Sequence, residues 1–324
     1  MRPEPQQIER VAVLGAGTIG ASWTALFLAR GLRVALWDPA PDTEQRVRAF
    51  VQRAWPALER LGLGSGADGS RFTIHPDPAA AVEGAQFVQE NGPENLATKQ
   101  VLFAAMEPGL MPDAVVASST SGLMPSALQA GRSGPERYLV GHPFNPPHLI
   151  PLVEVVSGKE TDRAAVDWTY DFYKAIGKQP IRVRKELPGH VTNRMQAALY
   201  REAIHLALEG VADIGDIDLA ISAGPGLRWA LWGPHTMHHL AGGEGGMRHL
   251  LEHIGPGLES WWNSLGTPDL TPANIDRLVE LFEASQPPPL AELVRERDAL
   301  LIALIETIQT TRARLADGSG EPTP

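Results

Sequence analysis

Ten residues constrain the fold of this chain more than any others. Val11-Ala12-Val13-Leu14 is a continuous apolar run, and Gly15-Ala16-Gly17-Thr18-Ile19-Gly20 follows it directly. A short apolar run bounded by glycine reads as a strand buried on both faces. Beyond it Ile19, Trp23, Leu26 and Phe27 recur at helical spacing, and Gly31 stands where that helix would end. In a G-x-G-x-x-G junction of strand and helix, the first glycine makes the tight turn and the second lets a pyrophosphate approach the backbone. The third lets the helix pack on the strand. Thr18 and Ile19 open the helix, whose N-terminal amides face the phosphates. Asp38 closes the next apolar run, Arg33–Trp37, 18 residues after Gly20. A carboxylate there accepts hydrogen bonds from an adenosine ribose and repels a 2′-phosphate, so the pattern predicts NAD rather than NADP. FAD shares the glycine fingerprint, which alone does not choose between dinucleotides.

The stretch 11–29 carries no charge over 19 residues between Arg10 and Arg30, long enough to imitate a membrane span. Its three glycines and its change of periodicity midway favour strand, turn and helix instead. The opening Met-Arg-Pro-Glu-Pro does not resemble a secretory signal, so a cytoplasmic location is expected. The 324 residues suggest about two domains. With 28 Lys and Arg against 38 Asp and Glu, the net charge of -10 provides no field for nucleic acid or anionic lipid. No cysteine is present, which excludes disulfides, thiolate metal sites and cysteine nucleophiles.

Short β-branched runs alternate with helical segments at Val11–Leu14, Arg33–Trp37, residues 86–89, 114–117 and 138–140, Leu152–Val156 and Gln179–Val183. That alternation predicts an α/β Rossmann domain, a doubly wound and mostly parallel sheet, over residues 1–187. Pro188-Gly189 breaks the chain, and the patterning afterwards is helical. Met195, Ala198, Leu199, Ala203, Leu206 and Ala207 fall on one helical face, for example. Residues 188–315 are therefore expected to form an all-helical C-terminal domain, with a disordered tail over 316–324.

Gly141-His142-Pro143-Phe144-Asn145-Pro146 follows one expected strand, and Glu154 lies 12 residues after His142 in the next. A histidine held by a carboxylate takes a hydroxyl proton near neutral pH, as alcohol oxidation requires. Ser118-Ser119-Thr120-Ser121 ends another strand of the same half, at the sheet edge where doubly wound proteins bind ligands. With these words in this order, the chain resembles the 3-hydroxyacyl-CoA dehydrogenase superfamily from Val11 to about Leu265. The resemblance implies that His142 is the general base and Glu154 its orienting partner. It makes Ser119 and Asn193 the contacts to the substrate oxygen. It also places Ser119, Asn145, Glu94 and Lys99 about the cofactor, the last two on a helix beside the nicotinamide, and it implies a homodimer through the helical domains.

Acyl-CoA members carry a Gly-Pro-Phe-x-x-x-Asp word, whereas here Gly233-Pro234 is followed by His235, and His239 takes the place of the aspartate. Gly226-Leu227-Arg228-Trp229, Leu240-Ala241-Gly242-Gly243 and Gly246-Met247-Arg248-His249 resemble the L-carnitine dehydrogenase branch, as does Ser119-Thr120-Ser121-Gly122-Leu123. Gly233-Pro234 with Thr236-Met237-His238 resembles the L-gulonate 3-dehydrogenase and lambda-crystallin branch. Oxidation of a small L-3-hydroxy acid, first L-carnitine to 3-dehydrocarnitine, is the expected activity. L-gulonate and 3-hydroxyacyl-CoA are the alternative substrates, and a structural or NAD-sensing role without turnover is the alternative of another class. Indole faces at Trp229 and Trp232 suit a trimethylammonium, and Arg228 or Arg248 suits a carboxylate. His235, His238 and His239 have helical spacing, as do His249 and His253, but hydride transfer with a histidine base needs no metal and none is expected.

Overall fold

The computed structural model describes residues 2–317. Two compact units divide the chain. One comprises the residues up to Arg194 with Leu300–Glu306, the other Met195–Ala299 with the residues from Thr307 on. In the first unit the strands are β1 (Arg10–Leu14), β2 (Arg33–Trp37), β3 (Phe72–Ile74), β4 (Phe87–Glu90), β5 (Val115–Ser118), β6 (Tyr138–Pro143), β7 (Leu152–Ser157) and β8 (Gln179–Val183). They form one sheet in the order β3-β2-β1-β4-β5-β6-β7-β8, so the winding reverses between β1 and β4. Every strand pair is parallel except β6 with β7. Only residues 144–151 join those two, too few for the crossover that parallel pairing demands. Each of the seven strands expected from sequence is present. The eighth, β3, is three residues long and gives too short a run to signal itself.

Helices α1 (Thr18–Ala29), α2 (Thr43–Arg60), α3 (Pro78–Val82), α4 (Leu96–Met106), α5 (Pro125–Gln129) and α6 (Arg163–Ala175) belong to the same unit. Alternation along β1 sends Val11 and Val13 into one apolar layer and Ala12 and Leu14 into the other, which explains why the strand is apolar throughout. In the first layer Trp23 of α1 stacks on Phe27 at 5.3 Å and on Tyr173 of α6 at 5.6 Å, while Phe87 and Phe172 meet at 4.4 Å. Burying each such ring stabilises the fold by roughly 1.5–3 kcal/mol, and together they fix α1 against the sheet.

The helical remainder comprises α7 (Thr192–Leu208), α8 (Ile214–Ser222), α9 (Pro225–Trp229), α10 (Pro234–Ala241), α11 (Gly246–Ser264), α12 (Pro272–Ala284) and α13 (Leu290–Ala316). Among its described residues no strand occurs. The tail expected over 316–324 begins with the last residue of α13 and its cap Asp317, and residues 318–324 lie outside the described residues. The architecture is thus a doubly wound, mostly parallel α/β sheet followed by a helical domain.

Candidate active site

The glycine turn has the geometry its spacing requires. Gly15 sits at φ 87°, and a Cβ on Gly20 would lie 1.8 Å from the Gly15 carbonyl oxygen, so neither position admits a side chain. At Gly17 an added Cβ would meet nothing within 4 Å, and Gly17 and Thr18 are exposed. The helix begins there without a side-chain cap, which leaves its first amides for a ligand, while Ile19 is half-buried beneath them. That open face fits a pyrophosphate. Asp38 ends beside it: its Oδ2 accepts from Ala16 N at 2.6 Å and its Oδ1 from Ala40 N at 3.0 Å. Arg46 approaches Oδ1 at 3.4 Å.

Across the antiparallel pair His142 stands directly opposite Glu154. Nδ1 of the imidazole lies 2.8 Å from Oε2 of the carboxylate, both side chains being buried. Because the carboxylate accepts, Nδ1 carries the proton and Nε2 keeps a free lone pair. The other oxygen of Glu154 accepts from Val191 N at 3.0 Å, Thr192 N at 2.9 Å and the Thr192 hydroxyl at 3.2 Å. Burial alone pushes the carboxyl up, but these bonds and that from His142 outweigh it and hold Glu154 below the usual carboxylate range. Glu154 therefore stays ionised beside the His142 imidazole.

Ser119 follows β5 and is half-buried. Its hydroxyl donates to Asn91 Oδ1 at 2.7 Å and accepts from Gln89 Nε2 at 2.9 Å and Trp23 Nε1 at 3.3 Å. Asn193 donates to the Ser121 carbonyl at 3.3 Å, joining the start of α7 to the serine loop. Glu94 organises that loop as well, its Oε1 accepting from the Thr120 hydroxyl at 2.5 Å, Ser121 N at 3.0 Å and Gly122 N at 2.9 Å. Asn145 is exposed in the turn after His142.

Lys99, expected about the cofactor, lies behind the turn that follows β4. It is 1% exposed, and its ammonium donates to both oxygens of Glu90, at 2.8 and 3.0 Å, and to the Gly92 carbonyl at 2.9 Å. All three protons are engaged inside the protein, so Lys99 fixes the 90–92 turn. Glu90, Gln89 and Asn91 went unnoticed in the sequence. The available signal was a polar pair closing an otherwise apolar strand, Phe87-Val88-Gln89-Glu90. In the helical unit Trp229 and Trp232 are 41% and 49% exposed, and Arg228 and Arg248 are exposed too. Among the described residues both indoles are therefore open to solvent in the single chain.

Comparison with known proteins agrees with this geometry. Residues 10–187 match the NAD binding domain of 3-hydroxyacyl-CoA dehydrogenase, and residues 189–277 match its C-terminal domain. An L-carnitine dehydrogenase of Nocardiopsis dassonvillei is 49% identical over 321 residues, 98% of either chain. One from Streptomyces coelicolor is 48% identical over 308 residues, covering 95% of this chain and 96% of that one. Among solved structures, the crystal structure of 5-formyl-3-hydroxy-2-methylpyridine 4-carboxylic acid 5-dehydrogenase, an NAD+ dependent dismutase, aligns with a TM-score of 0.81 at 31% identity. The alignment covers 94% of this chain and 99% of that one.

Proposed function

The chain belongs to the 3-hydroxyacyl-CoA dehydrogenase family and is an NAD-dependent oxidoreductase, and we propose that the alcohol it oxidises is L-carnitine, giving 3-dehydrocarnitine. The observation that carries this reading is the His142–Glu154 pair at 2.8 Å in a chain 44% to 49% identical to L-carnitine dehydrogenases over nearly its whole length. Replacement of the acyl-CoA word by Gly233-Pro234-His235 supports a substrate without CoA.

NAD, when bound over the glycine turn, supplies the acceptor for the hydride leaving the carbinol carbon. The residues of the chain do the rest. His142 takes the hydroxyl proton on Nε2, and Glu154 holds its Nδ1–H and stabilises the imidazolium. Ser119 and Asn193 hydrogen-bond the oxygen as it becomes a carbonyl. Ser119 exchanges one of its present partners to do so. Gly15, Gly17, Thr18, Ile19, Gly20 and Asp38 hold the dinucleotide, with Glu94 and Asn145 at its nicotinamide end. Trp229 and Trp232 receive the trimethylammonium, and Arg228 or Arg248 the carboxylate.

The reading includes a division at residue 187 into a nucleotide-binding part and a part, 188–315, that serves substrate and dimerisation. Trp261, Trp262, Val279 and Phe282 are exposed on the single chain, apolar area that a second copy would cover. The reading takes the protein as a cytoplasmic homodimer; no helix among the described residues is long and apolar enough to cross a membrane. L-carnitine, L-gulonate, L-3-hydroxybutyrate and 3-hydroxybutyryl-CoA, each offered with NAD and followed by reduced-cofactor absorbance, test the assignment. Carnitine should react best; an inert carnitine beside a rapid gulonate or acyl-CoA refutes it. Light scattering in solution checks the dimer.

A further inference from the structure

Three unusual features meet in one residue at the turn before α7. His190 is a non-glycine residue at φ 50°, it is 0% exposed, and its Nδ1 has no hydrogen-bond partner among the described residues. A glycine would hold this backbone without strain, so the imidazole must be retained for what it contacts. Nε2 lies 3.2 Å from the Thr120 carbonyl, which can only accept, so Nε2 bears the proton. The ring centroid is 5.3 Å from that of His142. Burial, foremost, holds His190 below the ordinary histidine range. His142 pushes the same way, and the Thr120 bond and the carboxylates of Glu154 and Glu94 oppose it. Near neutrality the ring is uncharged, and Nδ1 holds a lone pair.

We propose that His190 is a positioning residue for the reaction: a neutral imidazole that ties the serine loop to the general base so that one substrate oxygen meets both Ser119 and His142. The inference rests on the reading of His142 as that base. Four consecutive residues make the tie. His190 and Asn193 donate to the successive carbonyls of Thr120 and Ser121, while Val191 N and Thr192 N donate to the carboxylate that orients His142. A segment fastened to the loop on one side and to Glu154 on the other sets the spacing of the two groups that flank the reacting oxygen. Reaction rate depends steeply on such spacing. The neutrality of the ring matters as well, because a cation 5.3 Å away would oppose the positive charge that His142 acquires.

His190→Phe fills the space without a donor, and His190→Asn keeps an N–H donor on a residue type that tolerates the left-handed backbone. In the full chain, oxidising whichever of the four hydroxy acids the unmodified protein prefers, His190→Phe should lower kcat by about 10-fold to 100-fold. KM for NAD should stay within about twofold, and His190→Asn should recover most of the rate. A phenylalanine variant with undiminished kcat overturns the proposal, as does an asparagine variant that loses as much. Histidine-labelled nitrogen NMR provides an arm independent of substrate, so a failed carnitine assignment leaves the proposal testable. His190 should appear at neutral pH as the uncharged Nε2–H tautomer, and His190→Phe should shift the His142 ring signals. A charged His190, or an unmoved His142, would overturn it.

Discussion

Oδ2 of Asp38 accepts a hydrogen bond of 2.6 Å from the backbone nitrogen of Ala16, so the acid that follows β2 also closes the glycine turn at the end of β1. Adjacent parallel strands place Leu14 beside Trp37, which brings a residue 22 positions away in sequence onto the glycine loop. The same carboxylate holds Arg46 at 3.4 Å through its other oxygen.

Removing the charge at Asp38 should therefore do two things at once. Asp38→Asn keeps an acceptor for Ala16 N but neither repels a 2′-phosphate nor occupies Arg46. The ratio of kcat/KM for NAD over NADP should fall by about tenfold or more, one pKa-unit equivalent of lost repulsion. Steady-state rates with both cofactors measure it, and a ratio unchanged from the parent would sink the role given to Asp38.

His142→Ala should reduce turnover by about 100-fold to 10,000-fold while leaving NAD binding intact, because general bases contribute on that scale and the dinucleotide is held elsewhere. Glu154→Gln should slow catalysis on a similar scale, since an amide whose oxygen still accepts from Val191 and Thr192 turns its NH2 toward Nδ1 of His142, which leaves the imidazole proton on Nε2 and no carboxylate to balance a positive ring. Fluorescence titration with NADH separates binding from chemistry; comparable losses of affinity and rate would contradict the assignment.

Glu90 and Lys99 form an ion pair at 2.8 Å in which both side chains are buried. Lys99→Met leaves a carboxylate buried without its partner and should destabilise the protein by about 3–5 kcal/mol. Adding Glu90→Gln to Lys99→Met should restore part of that loss, because the stranded charge is gone. Denaturant unfolding of both variants gives the comparison, and strict additivity would mean that the two groups do not act as a pair.

Lys178 is almost fully buried, with Nζ donating to the carbonyls of Pro147 at 2.5 Å and Ile150 at 2.6 Å, and so it braces the loop that follows His142. Burial, then the nearby charge of Arg30, pushes its ammonium from 10.5 down to about 7. The folded state thus releases this proton near pH 7 while the unfolded chain keeps it to 10.5. Between those values the unfolded state binds more protons, so the contribution of Lys178 makes stability rise with pH, by up to about 1.4 kcal/mol per unit. Lys178→Met should flatten that part of the profile. An identical slope from pH 7 to 9, read as about two units of the window, would show that the lysine stays charged.

If the exposed indoles receive a quaternary ammonium, Trp229→Ala should erode the preference for L-carnitine over L-3-hydroxybutyrate more than it slows the uncharged analogue. A cation–π contact is worth about 0.5–2 kcal/mol, or roughly twofold to thirtyfold in kcat/KM. Equal losses on both substrates would assign Trp229 to packing.

The sequence by itself determined the elements whose logic is local. Glycine at 15, 17 and 20 after an apolar run, Asp38 at the end of the next, and the apolar strands to Val183 all follow from turn sterics and from burial on both faces of a sheet. It also brought out His142 and Glu154, because a bend of eight residues, 144–151, can only fold two strands back on each other. Partnerships between distant segments were decided by tertiary structure alone. Lys99 reads only as a cation on a helix beside the cofactor, and the packing of α4 on the sheet sets its ammonium on Glu90. Ser119 reads as one hydroxyl among several, yet Gln89 and Asn91 from the end of β4 and Trp23 from α1 converge on its oxygen. His190 shows no periodic or motif signal, and only the closure of β7, the serine loop and the start of α7 around it gives the ring its bond, its neighbour and its burial. Local pattern records which backbone a residue favours and which side of an element it occupies. A buried hydrogen bond between residues 70 apart, like that of His190 with Thr120, exists only once the chain has brought both out of water together.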